Sequence, residues 1–347
     1  MVSAETFNKR IGTKRIGLYT LRNNKGLVAQ ITNYGAKIVS LTVQNSKGEK
    51  ADIVLGFNTL DEWMTQETYF NAVIGRYANR IKDGRFSLDG TTYQLPVNNG
   101  TNSLHGGLHG WNEKIWEVVG QNAYSVSLHY RCADGEEGYP GTVDAYVTYC
   151  LTRENALQIT FEAKTDKPTI LALTNHAYFN LAGEGSGDVR NHILQVFADE
   201  YTPLDDTACP TGEIAKVDNT PMDFRTPQCV GDRIDDPFFA PGRGIDNNFV
   251  IRGAVPRDGK LHPAAAVEAD DRRMEVWTTM PGLQVYTGNW VEKHLGKSGR
   301  EYDVQHAICL EAQNFPDSPN HTKFPSPILR PGDIYREQTE YRFLTKE

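Results

Sequence analysis

The stretch VDAYVTYCLTRENALQITFEAKT, residues 143–165, decides the fold class. Apolar and polar residues alternate with period two in VDAYVTYCLT and again in ALQITFEAKT, and both runs are rich in Val, Ile, Thr, Tyr and Phe. This alternation is typical of β-strands that bury one face and expose the other. The stretch therefore predicts two half-buried antiparallel strands.

The same pattern recurs along the chain. Further alternating runs begin at Leu27, Ala123 and Arg272, and turn-forming sequences rich in Gly, Asn and Asp lie between the runs. The best helical stretch is short, near Thr59 to Met64. Because strands occur at this density without a linker or an internal repeat, we predict an all-β fold, a single large antiparallel β-sandwich formed by one domain over residues 1–347.

Composition and charge restrict the kind of partner. With 39% hydrophobic and 10% aromatic residues, the chain of 347 residues has ample material for a buried core, which argues against general disorder. The formal net charge is −8, and acidic residues are interspersed with lysines and arginines. This balance disfavours a nucleic-acid or membrane surface as partner and favours a small neutral or cationic ligand.

Cysteine usage and the N-terminal residues indicate the compartment. The five cysteines are odd in number and far apart, and none forms a CxxC pair. This pattern predicts reduced thiols rather than a disulfide framework or a zinc site. No apolar segment follows the basic residues of the N-terminus, and no run approaches the length of a membrane span. We expect a soluble cytoplasmic protein.

Two polar residues interrupt apolar runs. His176 lies in the middle of LALTNHAYFNLAG, residues 171–183, and Glu311 follows Ile-Cys-Leu directly in ICLEAQNFPDSPNH, where we place it at the end of a strand. Each has an ordinary explanation, since a buried histidine usually has a hydrogen-bond partner and a buried glutamate is usually salt-bridged. Near neutral pH, however, an imidazole and a carboxylate also form an acid and base pair.

Three further polar residues lie in turn-like segments. Arg80 occurs in GRYANRIKDGRF, His105 precedes two glycines, and Asp246 lies in GRGIDNNFVI. The alternatives are a surface arginine, an exposed turn histidine and an aspartate that caps backbone groups. The P-loop, HExxH and GxSxG motifs are absent, as is GxGxxG after a strand. The set suits acid–base chemistry on a neutral polyhydroxylated molecule, with no metal and no cofactor.

Five short motifs are shared with a known family. NRIKDGRF, LHGG, TNHAYFNL, GIDNNF and LEAQNFPDSPN occur in the order and approximate spacing seen in the galactose mutarotase, or aldose 1-epimerase, family, which the chain resembles. The resemblance implies the galactose mutarotase-like supersandwich fold. It also implies a sugar as the small-molecule partner, with interconversion of the α and β anomers of D-galactose, D-glucose or both. We expect a monomer or a weak homodimer.

The resemblance also implies roles for individual residues. His176 corresponds to the general acid of the family and Glu311 to the general base. The residues implied to bind the sugar or line its pocket are Asn79, Arg80, His105, Asp246 and Tyr286. Among them, His105 is implied to support proton transfer at the ring oxygen, and Asp246 to bind sugar hydroxyls. Ordinary pKa values, about 4.3 for Glu and about 6.5 for His, predict an ionised Glu311 and a His176 that is protonated in part near pH 7.

Three other functions compete with this one. A non-catalytic carbohydrate-binding sandwich would use Arg80 and Asp246 but has no need for both His176 and Glu311. A glycoside hydrolase could use Asp246 and Glu311 as its two carboxylates, but it leaves the histidines without a role. An epimerase of hexose 6-phosphates would require basic residues around the pocket, which the acidic balance of the chain does not support.

Overall fold

The computed structural model describes residues 1–66 and 69–345. Within these residues it contains one α-helix, α1 (Leu60–Thr65), 31 strands and seven 3₁₀ helices. The 3₁₀ helices are Ala4–Phe7, Lys82–Gly84, Trp111–Glu113, Glu136–Gly138, Val230–Asp232, Pro237–Gly242 and Ser318–Asn320. Helix α1 coincides with the short stretch expected from the sequence, and a capping box between Thr59 and Glu62 fixes its start.

The strands of the first half of the chain are β1 (Lys9–Ile11), β2 (Lys14–Ile16), β3 (Leu18–Arg22), β4 (Val28–Thr32), β5 (Ile38–Gln44), β6 (Lys50–Asp52), β7 (Val73–Ile74), β8 (Arg80–Ile81), β9 (Arg85–Leu88), β10 (Thr91–Gln94), β11 (Ser103–Leu104), β12 (Glu117–Gln121), β13 (Ser125–Cys132), β14 (Val143–Leu151), β15 (Ala156–Thr165) and β16 (Thr169–Ile170). Those of the second half are β17 (Thr174–Asn175), β18 (Tyr178–Phe179), β19 (Ile193–Val196), β20 (Ala198–Tyr201), β21 (Ala215–Lys216), β22 (Gln228–Cys229), β23 (Asp246–Ile251), β24 (His262–Ala269), β25 (Arg272–Thr278), β26 (Gly282–Tyr286), β27 (His294–Leu295), β28 (Glu301–Tyr302), β29 (Ile308–Gln313), β30 (Ile328–Leu329) and β31 (Tyr335–Thr345).

Three antiparallel sheets form the body of the molecule. The largest has nine strands in the order β12-β13-β14-β15-β31-β25-β24-β19-β22, the second has six in the order β18-β29-β26-β23-β20-β21, and the third is β3-β4-β5-β6. Every alternating run named in the sequence contains one or two strands. Strands β14 and β15 pair antiparallel from Val143 opposite Thr165 to Leu151 opposite Leu157. The prediction of an all-β antiparallel sandwich is confirmed.

Strand β31 lies in the middle of the nine-stranded sheet. It pairs with β15 on one side and with β25 on the other, so it joins the two halves of that sheet. Two of its tyrosines also reach other segments. The hydroxyl of Tyr341 donates to the carbonyl of Leu310 (3.2 Å), and the backbone N–H of Leu173 donates to the hydroxyl of Tyr335 (3.1 Å).

The six-stranded sheet separates the main core from a polar region. Along β29, Ile308, Leu310 and Ala312 point into the large apolar cluster shared with the nine-stranded sheet, whereas Cys309 and Glu311 point to the opposite face. All six residues of β29 are buried. Both faces of this strand are therefore covered by protein. Among the described residues, no helix has the length and apolar character needed to cross a membrane.

Candidate active site

One cleft collects all the side chains singled out in the sequence. Its volume is about 630 Å³, within the range of small-molecule sites. The seven residues are Asn79, Arg80, His105, His176, Asp246, Tyr286 and Glu311. They are spread over positions 79–311 of the chain, so the sheets and their connecting loops bring them together.

His176 and Glu311 meet at the buried end of the cleft. The Nε2 atom of His176 lies 3.5 Å from Oε1 of Glu311, and the two side chains are 5% and 2% exposed. Two details differ from the sequence prediction. His176, in the middle of an apolar run of the sequence, lies in the gap between the two-residue strands β17 and β18 rather than inside a strand. Glu311 is the fourth of the six residues of β29 rather than its end.

The gap between β17 and β18 is held by backbone hydrogen bonds. The N–H of His176 donates to the carbonyl of Ala72 (2.9 Å), and its carbonyl accepts from the N–H of Asn71 (2.9 Å). The imidazole stacks on the ring of Tyr178, with centroids 4.8 Å apart and planes at 9°. Tyr69 lies nearly parallel to the imidazole at 6.4 Å. The histidine is thus fixed in position by its backbone and by aromatic neighbours.

Burial opposes the charged form of both residues. The pKa of Glu311 is raised well above its usual value by burial, with a further contribution from the Asp246 carboxylate and an opposing one from Arg80. Burial lowers the pKa of His176 from 6.5 to about 3. Burial therefore disfavours the charge states that ordinary pKa values predict for these two residues, and the sequence does not show how completely they are withdrawn from water.

His105 and Asn79 fix each other. The N–H of Asn79 donates to Nδ1 of His105 (3.1 Å), and the N–H of His105 donates to the carbonyl of Asn79 (3.1 Å). Because Nδ1 accepts a hydrogen bond, the neutral ring carries its proton on Nε2, which is then a donor. Burial, together with His176 and Arg80, lowers the pKa of His105 well below its usual value. The neutral donor form is therefore favoured.

The loop of His105 comes very close to the chain at Gly75. Both His105 (φ 52°) and Asn79 (φ 63°) adopt left-handed backbone conformations, which are uncommon outside glycine. A Cβ added to Gly106 would lie 2.1 Å from the carbonyl oxygen of Gly75. The glycine after His105 is therefore required by this close approach.

Arg80 and Asp246 form the polar side of the cleft. Nη1 of Arg80 lies 3.8 Å from Oδ2 of Asp246, and Nε of Arg80 donates to Oδ1 of Asn99 (2.9 Å). The other carboxylate oxygen of Asp246 accepts from Nε2 of Gln284 (2.7 Å). Both Arg80 and Asp246 retain some exposure to solvent, with 13% and 15% of their side chains accessible.

Strand register explains why these side chains converge. Glu311 lies opposite Gln284 across the β26–β29 pair, and Asp246 lies opposite Tyr286 across the β23–β26 pair. Tyr178 lies opposite Cys309 in the β18–β29 pair. Because directly opposed residues share a face, one face of the six-stranded sheet forms the floor of the cleft.

Several residues at the site were missed in the sequence. They are Tyr69, Asn99, Tyr178, Gln284 and Trp290. Two of them had a signal, since Tyr178 follows His176 by two positions and Gln284 precedes Tyr286 by two, the spacing of residues on one face of a strand. In the part of the chain that the structure describes, no group of three or more His, Cys, Asp or Glu side chains is arranged to hold a metal ion.

The arrangement is suited to moving protons at two neighbouring oxygen atoms. A carboxylate and an imidazole at 3.5 Å can together remove a proton from one oxygen and supply a proton to another. Hydrogen-bonding groups around them, from Arg80, Asp246 and His105, can orient a ligand that has several hydroxyl groups.

Comparisons with known proteins agree on one family. The family model described as aldose 1-epimerase matches residues 17–342. The chain is 40% identical to the galactose mutarotase of Rattus norvegicus over 330 residues, which cover 94% of this chain and 93% of that protein. It is 38% identical to the aldose 1-epimerase of Escherichia coli K12 over 333 residues, which cover 95% of each. The crystal structure of an aldose epimerase homologue from C. elegans superimposes with a TM-score of 0.87 at 34% identity, covering 96% of this chain and 100% of that one.

Proposed function

Because this chain belongs to the aldose 1-epimerase family of carbohydrate-converting enzymes, we propose that its cleft interconverts the α and β anomers of D-galactose, D-glucose or both. The observation that supports this function most directly is the contact of 3.5 Å between His176 and Glu311 at the buried end of the cleft. The reaction requires a base for the C1 hydroxyl and an acid for the ring oxygen. The hydroxyl oxygen and the ring oxygen are both bonded to C1, so the base and the acid must lie close together.

In the proposed reaction Glu311 removes the proton of the C1 hydroxyl while His176 donates a proton to the ring oxygen. The bond between C1 and the ring oxygen breaks, and C1 becomes an aldehyde carbonyl. After rotation about the C1–C2 bond, the hydroxyl formed from the ring oxygen attacks the other face of the carbonyl. His176 takes back its proton and Glu311 returns its proton to the new C1 hydroxyl. No atom is gained or lost, so no co-reactant is required.

The charge states needed for this reaction can be produced by the sugar itself. A neutral Glu311 and a neutral His176 differ from the reactive ion pair only by one proton moved between two atoms 3.5 Å apart. The C1 hydroxyl donates to the carboxylate and the ring oxygen accepts from the imidazolium, and both hydrogen bonds favour the charged forms. The stacked ring of Tyr178 also favours a positive charge on His176. Binding of the aldose therefore shifts the pair toward the form that reacts.

The remaining predicted residues hold the sugar in our proposal. Arg80 and Asp246 bind its hydroxyl groups, and the Nε2–H of His105 donates toward the ring oxygen, beside the acid. Asn79 fixes the tautomer of His105 through its backbone N–H (3.1 Å). Tyr286 lies edge-on to His176, with ring centroids 6.0 Å apart, and limits the space around the acid.

The competing functions fit the cleft less well. A glycoside hydrolase that used Asp246 and Glu311 would leave the placement of His176 without a purpose, and a passive binding protein would not require the contact between His176 and Glu311. Among the described residues that line the cleft, Arg80 is the only lysine or arginine. A phosphorylated hexose, with its additional negative charges, would need more cationic partners than this.

Polarimetry tests the proposal. Freshly dissolved α-D-galactose and α-D-glucose are followed with and without the protein, and we expect faster approach to the equilibrium rotation with at least one of them. The protein should act equally well after treatment with a chelator, since the proposed chemistry uses only side chains. If neither sugar equilibrates faster than in buffer alone, the proposed function is wrong. If activity is lost with the chelator and restored by a divalent ion, the cofactor-free mechanism is wrong.

A further inference from the structure

Asp317 is a buried carboxylate that the proposed reaction does not use. It lies in the loop after β29, its side chain is fully buried, and it does not line the cleft. Its backbone is in the left-handed conformation (φ 54°). A buried carboxylate is costly unless hydrogen bonds compensate for the lost water, so its partners indicate what it holds.

Those partners are the first residue of strand β8 and the residue that follows the strand. The N–H of Asp317 donates to the carbonyl of Arg80 (2.8 Å), and Oδ1 of Asp317 accepts from the N–H of Lys82 (3.0 Å). One residue therefore binds the backbone immediately before and after Ile81. Arg80 is the first residue of β8, and its side chain enters the cleft.

One further side chain binds the carboxylate by a hydrogen bond, and a second lies beside it. Nδ2 of Asn320 donates to Oδ1 of Asp317 (2.6 Å) and also to the carbonyl of Arg85 (2.9 Å). Nε2 of His321 lies 3.1 Å from the second carboxylate oxygen. The loop after β29 is thereby attached to residues 80–85 along their length. Since β29 carries Glu311, the loop links the strand of the base to the strand of Arg80.

We propose that Asp317 is a positioning residue that acts through Arg80. Asp317 fixes the backbone of Arg80, while Asn99 (2.9 Å) and Asp246 (3.8 Å) fix its guanidinium group. The inference rests on the proposed role of Arg80 as a sugar-binding residue. Groups that orient a substrate lose much of their value when they are displaced by as little as about 1 Å, so loosening the backbone of Arg80 weakens sugar binding even though Asp317 does not touch the sugar.

The test is a pair of substitutions at Asp317 with a matched control. Asp317→Gly removes the carboxylate without the strain that alanine would suffer in a left-handed conformation. We expect it to raise KM for D-galactose about tenfold and to change kcat by less than about twofold, because bound sugar still meets His176 and Glu311. Asp317→Asn keeps an oxygen that accepts from Lys82, and should restore KM to within about twofold of the original.

The control is Asp89→Gly. Asp89 also has a left-handed backbone (φ 49°), but it is exposed in the turn between β9 and β10 and pairs with Arg330. We expect its KM to be unchanged. An equal rise in KM for Asp89→Gly and Asp317→Gly would show a general effect of glycine at such positions and would overturn the inference.

A double-mutant cycle distinguishes action through Arg80 from a general structural role. In an Arg80→Ala background, Asp317→Gly should change KM by less than about twofold, since the group it positions is gone. If Asp317→Gly raises KM tenfold both with and without Arg80→Ala, the inference is overturned. It is also overturned if Asp317→Gly lowers the melting temperature but leaves KM unchanged. If Arg80→Ala alone leaves KM unchanged, the proposed sugar-binding role of Arg80 is wrong and the inference falls with it. If Arg80→Ala raises KM and Asp317→Gly does not, only the inference is wrong.

A second substitution, with a smaller expected effect on KM, tests the inference if Asp317→Gly does not yield folded protein. Asn320→Ala removes one donor to the carboxylate and one to the carbonyl of Arg85. We expect a rise in KM of about threefold, again absent in the Arg80→Ala background. Unchanged KM in folded Asn320→Ala protein would overturn the inference.

Discussion

Strands β15 and β29 each carry a glutamate on the face that points away from the main core, yet the two glutamates are in different surroundings. In β15 buried residues alternate with partly exposed ones, and Glu162 on the outer face has 47% of its side chain exposed and pairs with Arg336 (3.4 Å). In β29 every residue is buried, and the side chain of Glu311 is 2% exposed.

The difference lies in what covers the outer face. Water covers that face of β15, so the charge of Glu162 is solvated and a surface ion pair adds little to stability. Loops that carry His105 and His176 cover the same face of β29 and enclose the cleft. The same alternation of side chains between two faces therefore gives a surface residue in one case and a carboxyl group with a raised pKa in the other.

The largest difference between the two strands should appear in turnover. Glu311→Gln replaces the proposed base with an amide, which cannot act as a base near neutral pH. We expect kcat for D-galactose to fall by about 10²–10⁴-fold, the usual contribution of a positioned acid or base. Glu162→Gln, the matched change on β15, should leave kcat unchanged. Glu311→Gln protein that keeps more than about a tenth of the rate would show that Glu311 is not the base.

A matched substitution also tests whether His176 is the acid or a buried histidine with a structural role only. His176→Asn keeps hydrogen-bonding capacity but cannot transfer a proton, so we expect kcat to fall at least about 10²-fold while KM changes by only a modest factor. His129→Asn is the control, because His129 lies on β13 and pairs with Asp144 (3.0 Å). A His176→Asn protein that melts early but turns over normally would indicate a purely structural histidine.

A smaller effect, mainly on binding, is expected at His105. Asparagine tolerates the left-handed backbone of this position, so His105→Asn should fold. The variant loses the Nε2–H that we propose as a donor to the sugar, and we expect KM to rise about tenfold with a smaller fall in kcat. The measurement is KM and kcat for D-galactose alongside those of His176→Asn. Equal effects on kcat in the two variants would contradict the separate roles proposed for the two histidines.

The smallest effect concerns stability and its dependence on pH. Because the pKa of Glu311 is raised in the folded protein, its neutral form contributes stability below about pH 4.5, and this contribution is lost as pH rises through the folded-state pKa. Glu311→Gln does not undergo that loss. We expect its melting temperature to match that of the original protein near pH 4.5 and to exceed it by roughly 2 °C at pH 8.

Burial lowers the pKa of His176 to about 3, and Glu311→Gln leaves that burial in place, so we expect the contribution of His176 to cancel from this difference. The melting temperature of Glu162→Gln, relative to that of the original protein, should show no comparable dependence on pH. If the difference in melting temperature between Glu311→Gln and the original protein stays constant from pH 4.5 to pH 8, the raised pKa of Glu311 is contradicted.

The sequence predicted the strands of the nine-stranded sheet better than it predicted the site. Half-buried strands such as β14 and β15 show their burial through alternation, so their positions could be read directly. In β29 both faces are buried and the alternation disappears, so the sequence pattern predicts Glu311 at the end of the strand, whereas it lies within it. Five candidate site residues stood out as polar positions that the strand pattern does not explain, and the family motifs added their roles together with Asn79 and Tyr286. The charge states of Glu311 and His176 depend on loops distant in sequence, and no local pattern contains that information.

The central position of β31 affects when this protein can become active during its synthesis. The β12–β15 half and the β25–β22 half of the large sheet are joined only through β31, and residues 335–345 leave the ribosome after all the strands they connect. Tyr341 and Tyr335 also bond to the segments that carry Glu311 and His176. We expect the nascent chain to expose two unpaired strand edges until β31 emerges, which is a period of risk for aggregation.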